Sequence, residues 1–184
     1  DGRTVSAKET DRLSEKLSGN GVKIFWEEDL IGQIWTDRPA LSREPAWELD
    51  LKWAGKSRED KIAEIRKEMA EKGADLFLLT KLEDIAWLLN IRGNDIAYNP
   101  VVLSYVIVTE DKLYLFVNEE VLHGEAYPYM DNYHNIDMLK YLEDLGTEIL
   151  PYDDIYKMAT DITGHKILME KQHINYALYN ILKD

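Results

Sequence analysis

The chain has 184 residues, 45% hydrophobic and 31% charged, enough apolar surface to offset the ordering entropy of one ordinary globular domain, which excludes a disordered tail. With 22 basic against 35 acidic residues, its net charge of -13 repels phosphate backbones and anionic headgroups, so neither nucleic acid nor a membrane surface is an expected partner. Cysteine is absent, removing disulfide scaffolds, thiolate zinc sites and cysteine nucleophiles, and with neither an apolar run of ~20 residues nor a signal pattern in DGRTVSAKE the expected setting is cytoplasmic.

In chain order, Leu13 and Leu17 sit four apart ahead of Ser18-Gly19-Asn20-Gly21, which predicts a short helix over 5–17 with a glycine-rich stop. Val22-Lys23-Ile24-Phe25-Trp26 alternates and is β-branched or aromatic, which predicts a strand. A helix and a strand do not close a core, so the chain reads as opening within the tail of a preceding domain. Between Asp37 and Gly55, Pro39 and Pro45 fix the backbone and remove donors, giving an extended connector. Trp35, Trp47 and Trp53 predict that this connector is a strap pinned across a domain surface.

Ser57-Arg58-Glu59-Asp60 is a capping signature, and Ile62, Ile65, Met69 and Ala70 then recur at helical spacing through Lys72, with Gly73 as the stop. The short run Leu76-Phe77-Leu78-Leu79 fits a strand over 75–80 buried on both faces. Helical spacing resumes over 82–90 through Ile85, Leu88 and Leu89. After a polar break at 92–100, strands 101–109 and 113–117 flank the turn Glu110-Asp111-Lys112 as a hairpin. Beyond it the pattern predicts helix 136–145, strand 147–150, helix 154–161, strand 166–170 and helix 175–182. Alternating helices and short strands with one hairpin give an α/β fold: a mixed sheet flanked by helices.

Catalytic groups do not assemble from this sequence. The histidines His123, His134, His165 and His173 form no HExxH pattern and no pair one helical turn apart; solvated or capping roles are expected for them. The adjacent acids Glu27-Glu28, Glu119-Glu120, Glu143-Asp144 and Asp153-Asp154 read as solvated faces and caps, since helix neighbours diverge by about 100°. Ser104 lies inside a strand rather than in a nucleophile elbow, and Gly19-Asn20-Gly21 precedes a strand rather than a helix, the reverse of a phosphate loop.

One stretch stands apart, where an apolar helix end runs through Trp87-Leu88-Leu89-Asn90-Ile91-Arg92-Gly93-Asn94-Asp95-Ile96-Ala97-Tyr98-Asn99-Pro100 into a strand. Loops held between packed elements display binding groups, which makes Arg92, Asp95, Tyr98 and Asn99 the candidate site residues. The competing reading is that Asn, Asp and Gly only form turns and that Arg92 pairs with Asp95.

Asp84-Ile85-Ala86-Trp87-Leu88-Leu89-Asn90-Ile91-Arg92-Gly93, followed by Asp95, Asn99-Pro100 and Ser104-Tyr105, resembles in identity and spacing the middle domain of three-domain Xaa-Pro aminopeptidases, the creatinase/prolidase-like family. Trp35-Thr36-Asp37-Arg38-Pro39 is similar to the segment that ends the first domain of that family. The resemblance implies a ribonuclease H-like creatinase N-terminal-type domain, with 1–38 as the tail of the first domain, 39–54 as connector and 55–184 as the middle domain. It further implies a pita-bread catalytic domain, absent from this chain, that holds two divalent metal ions, manganese in most members. That parent removes the residue ahead of proline from short peptides by a metal-activated hydroxide and is expected to be a cytoplasmic homodimer. This segment is expected to contain no catalytic residue and no metal ligand, to be inactive alone, and to shape cleft access and subunit contacts, with Arg92, Asp95, Tyr98 and Asn99 on the cleft rim. A freestanding binding or oligomerisation module of the same fold is the alternative. A small hydrolase built on His165 and His173 ranks last.

Overall fold

The computed structural model describes residues 1–123 and 137–183. In chain order its elements are helices α1 (Ala7–Ser18) and α2 (Leu30–Ile34), strand β1 (Trp47–Glu48), helices α3 (Leu51–Ala54) and α4 (Arg58–Glu71), strand β2 (Leu76–Leu79), helix α5 (Leu82–Leu89), and strands β3 (Ile91–Arg92), β4 (Ser104–Thr109) and β5 (Leu113–Val117). A 3-10 turn (Glu119–Leu122) follows, then α6 (Met138–Glu143), β6 (Thr147–Pro151), α7 (Asp154–Asp161), β7 (Ile167–Leu168) and α8 (Tyr176–Leu182). Two compact units result: residues 1–40, 156–164 and 169–184 form one, and residues 41–155 and 165–168 the other.

The larger unit is a mixed α/β layer structure. Its five-stranded sheet runs β6-β5-β4-β2-β7, with β4 antiparallel to both β2 and β5, while β5–β6 and β2–β7 are parallel. The hairpin lies where expected, closed by the Lys112 amide donating to the Thr109 hydroxyl at 2.8 Å. Val106, Val108, Leu113, Leu115 and Phe116 are fully covered, so the central strands have the continuous apolar character of a doubly buried sheet. Helix α4 starts as its sequence dictates: the Ser57 side chain accepts from the Asp60 amide at 3.1 Å. Ile62 and Met69 from its apolar stripe join Ile85, Leu88 and Leu89 of α5 in the core.

In the smaller unit, α1 and α8 are joined through their N-terminal approaches. Ser6 bridges Asn175, the Ala7 amide donates to Ile174 O at 3.0 Å, and Ala7, Ile174 and Leu178 are fully buried. Gly2 is required here, because a Cβ would lie 2.7 Å from the Trp26 ring, which itself packs edge-on against Tyr176. The Lys171 ammonium, 2.8 Å from Asp11, is held charged above its usual range by that carboxylate and by Tyr179.

Three local expectations are corrected. Residues 22–26 form no strand, although Val22, Ile24 and Phe25 have strand character; their backbone makes no ladder with any described residue, and a strand exists only in pairing. The connector holds more structure than proline content suggested: Trp47 and Glu48 pair with Arg92 and Ile91, and Asp50 caps the short α3. Its tryptophans are unequally pinned, Trp47 being half-buried while Trp35 and Trp53 stay exposed. Strand β4 begins at Ser104 rather than Val101, because Val101 and Leu103 direct their backbone groups into the preceding loop. Of the helix expected over 136–145, residue 136 lies outside the described residues.

Candidate functional site

The polar stretch after α5 begins as the end of a helix. The last four carbonyls of any α-helix lack intrahelical donors, and α5 ends against the core, where water cannot serve them all. Side chains do so instead. Lys61 Nζ, reaching from α4, donates to Trp87 O at 2.7 Å; Arg92 Nη1 returns to Ala86 O at 2.9 Å; and the Tyr141 hydroxyl meets Leu89 O at 3.3 Å. Cations at a helix C-terminus also meet the negative end of its dipole.

Asn90 then reverses the chain with φ of 53°, the left-handed conformation that Asn tolerates better than other side-chain-bearing residues. Its carboxamide is engaged at both ends: Oδ1 accepts from Lys61 Nζ at 2.6 Å, and Nδ2 donates to Lys56 O at 3.1 Å. The reversal sends Ile91 and Arg92 alongside Glu48 and Trp47, and Leu49 N closes the corner on Asn90 O at 2.7 Å.

Lys61 is 1% exposed and, among the described residues, no carboxylate pairs with its ammonium, which lies 4.6 Å from the centroid of the Trp87 ring. Burial, and secondly the positive charges of Arg92 and Lys56, push its pKa below the usual lysine value. Burial also lowers Arg92. The reading from sequence gives Lys61 no role of its own. The available signal was its spacing, since Lys61, Ile65 and Met69 fall four apart on the apolar stripe.

The candidate residues divide. Arg92 serves backbone carbonyls, Ala86 O and its neighbour Ile91 O at 2.8 Å. Asp95 Oδ2 accepts from the Leu103 amide at 2.6 Å, and no ion pair joins Asp95 to Arg92. Asn99 Nδ2 donates to Glu83 Oε1 at 3.0 Å, tying the loop back to α5. Tyr98 alone projects away, fully exposed, with φ of 64°.

Among the described residues no three His, Asp or Glu side chains converge for a metal ion, and no helix is long and apolar enough to cross a membrane. His165 lies 3.6 Å from Asp75, His173 lies 3.5 Å from Glu170, and His123 lies 3.2 Å from Glu119, each histidine beside a single acid. His134 falls outside the described residues.

Known proteins resemble this chain in sequence and in fold. The chain is 41% identical over 144 residues to a probable Xaa-Pro aminopeptidase P of Sordaria macrospora, covering 78% of this chain and 21% of that protein. To the equally named protein of Neurospora crassa it is 38% identical, over 83% of this chain and 21% of the relative. The chain thus spans about a fifth of the length of these curated relatives. Among solved structures, the X-prolyl aminopeptidase of Caenorhabditis elegans, described as a cytosolic enzyme with a di-nuclear active site, superposes with a TM-score of 0.81 at 26% identity, over 96% of this chain and 28% of that one. Residues 37–184 match the profile of the Creatinase/Prolidase N-terminal domain, and the chain belongs to that family.

Proposed function

We propose that this chain is a non-catalytic N-terminal portion of a metal-dependent Xaa-Pro aminopeptidase, which removes the residue preceding proline from short peptides. The observation that carries this reading is the pairing of high similarity to aminopeptidase P proteins with coverage of only 21% of their length. The described residues do not fit a dinuclear metal centre, so no step of the reaction is assigned to them. Two divalent ions, manganese by the family resemblance, belong in this reading to the remainder of the parent. A cytoplasmic homodimer is the accompanying proposal, supported for location by the cytosolic description of the Caenorhabditis elegans enzyme.

Within the parent, residues 1–38 are read as the tail of a first domain, 39–54 as connector and 55–184 as the middle domain. Support comes from residues 22–35, where Phe25, Leu30, Ile31 and Ile34 are exposed apolar side chains ahead of the matched family region. The loop of Arg92, Asp95, Tyr98 and Asn99 is proposed to face the catalytic cleft and, with subunit contacts, to limit peptide length.

The test is direct. Supplied with Mn²⁺ and an Xaa-Pro peptide, the 184-residue chain is expected to release no first residue above a buffer blank, whereas the full-length parent releases it in a metal-dependent manner. Metal-dependent release by the chain alone sinks the reading. For the rim, Arg92→Ala in the parent is expected to shift KM or peptide-length preference, and unchanged values for both remove that part.

A further inference from the structure

The turn Ile96-Ala97-Tyr98-Asn99 closes with the Asn99 amide donating to Ile96 O at 3.1 Å. Positive φ at its third position alone is the signature of a type II turn, where Gly or Asn is the low-energy choice. A tyrosine stands there instead. It gains no compensating burial, for its side chain is fully exposed. The strain is also not free to relax: Asp95 N donates to Val101 O at 3.3 Å, Val101 N to Asn99 O at 2.8 Å, and Leu103 N to Asp95 Oδ2 at 2.6 Å. The Asn99–Glu83 bond seats the turn on α5, and Trp87, one helical turn beyond Glu83, lies on that same face. Ile96, the first residue of the turn, is likewise an exposed apolar side chain, so Tyr98 stands at the tip of a turn on a fixed base.

We infer that Tyr98, at the tip of the turn that begins at Ile96, is a rigid docking knob that seats in the surface of the part of the parent aminopeptidase lying outside this chain. The inference rests on the chain being a portion of a longer protein and narrows the rim proposal to one contacting side chain. Small peptides take concave sites, whereas a fully exposed aromatic at a turn tip is convex and fits a hole in another protein surface. About four-fifths of the matched relatives' length lies beyond what this chain covers, and in the proposed parent that remainder would supply the partner surface. Backbone strain that the local fold does not reward concentrates where a contact uses it.

Hydroxyl-radical footprinting read by mass spectrometry tests this without reference to catalysis. Tyr98 is expected to label heavily in the 184-residue chain and to lose that labelling in the full-length parent. Equal labelling in both overturns the inference, even if the parent proves to be an active peptidase. Protection in the parent that appears only on adding an Xaa-Pro peptide makes the occupant substrate, and protection that grows with concentration of the chain alone makes it a second copy; either overturns it. Tyr98→Asn supplies an independent reading. In the chain it relieves strain and is expected to raise the unfolding midpoint by about 2–4 °C. In the parent that gain disappears, because the knob's contact is lost with it. A lowered midpoint in the chain alone shows instead that Tyr98 supports its own fold.

Discussion

Two non-glycine residues among those described carry positive φ, Asn90 at 53° and Tyr98 at 64°, and their surroundings could hardly differ more. Asn90 is 4% exposed, with its carboxamide bonded to Lys61 and Lys56 and its carbonyl to Leu49. Tyr98 is fully exposed at the tip of a turn closed by the Asn99 amide on Ile96 O and tied to α5 by the Asn99 carboxamide on Glu83. The same backbone strain is therefore integral to the fold at one end of the loop and unrewarded at the other. A left-handed residue is informative about binding only when the fold returns nothing for it.

The largest expected effect breaks the compensated end. Asn90→Ala forces an alanine into the left-handed region, strips a charge-assisted bond from the buried Lys61 ammonium and orphans Lys56 O. Together these cost about 2–4 kcal/mol, to be read from urea unfolding of the chain. Asn90→Gly keeps the conformation and removes only the bonds, so it should fall between wild type and Asn90→Ala. If Asn90→Ala unfolds at the wild-type midpoint, the contrast with Tyr98 disappears.

Gly93 lies between the two ends and sharpens the contrast. A Cβ there meets Val102 Cγ2 at 2.6 Å and Val101 O at 3.0 Å, and the second atom is backbone that cannot swing away. Gly93→Ala is expected to cost about 1–3 kcal/mol through displacement of the 101–103 segment. Because that segment fixes Asp95 and the turn, the variant should also loosen Tyr98, seen as faster amide exchange at Asn99 and Leu103.

Much of this architecture is legible in the sequence, and its failures share a physical cause. Helices α4 and α5 and the β4–β5 hairpin are set by local signals: a serine cap, an apolar stripe and a three-residue turn between β-type runs. Residues 22–26 show the limit, since alternation marks a segment able to pair but does not provide the partner. Helix α2 was missed because five residues carry too little periodicity; its start depends on Asp29, which accepts from Gly32 N and is held ionised below its usual range chiefly by Arg38. Composition located the loop correctly but not the roles within it. An Arg and an Asp three residues apart suggest a pair, yet each is spent on backbone that only the folded chain brings near. Lys61 is thirty-one residues before Arg92 and on another helix, so the cationic cap of α5 is a tertiary feature.

The smallest effect concerns the charge on Lys61, and its sign follows from linkage. Its folded pKa lies below 10.5, chiefly through burial, so between that lowered value and 10.5 the unfolded chain binds more protons than the folded one. Stability contributed at this site therefore rises with pH across that window, and at neutral pH the buried charge is a standing cost. Lys61→Met removes the charge together with its bonds to Trp87 O and Asn90 Oδ1. Wild type should gain on Lys61→Met as pH climbs toward 10.5, a difference of unfolding free energies in which the other titrating groups cancel. A gap that stays flat over that range would mean the ammonium is as well solvated in the fold as out of it. The reversal at Asn90 would then rest on carboxamide geometry alone, and the cation under Trp87 would be incidental to how the loop is held.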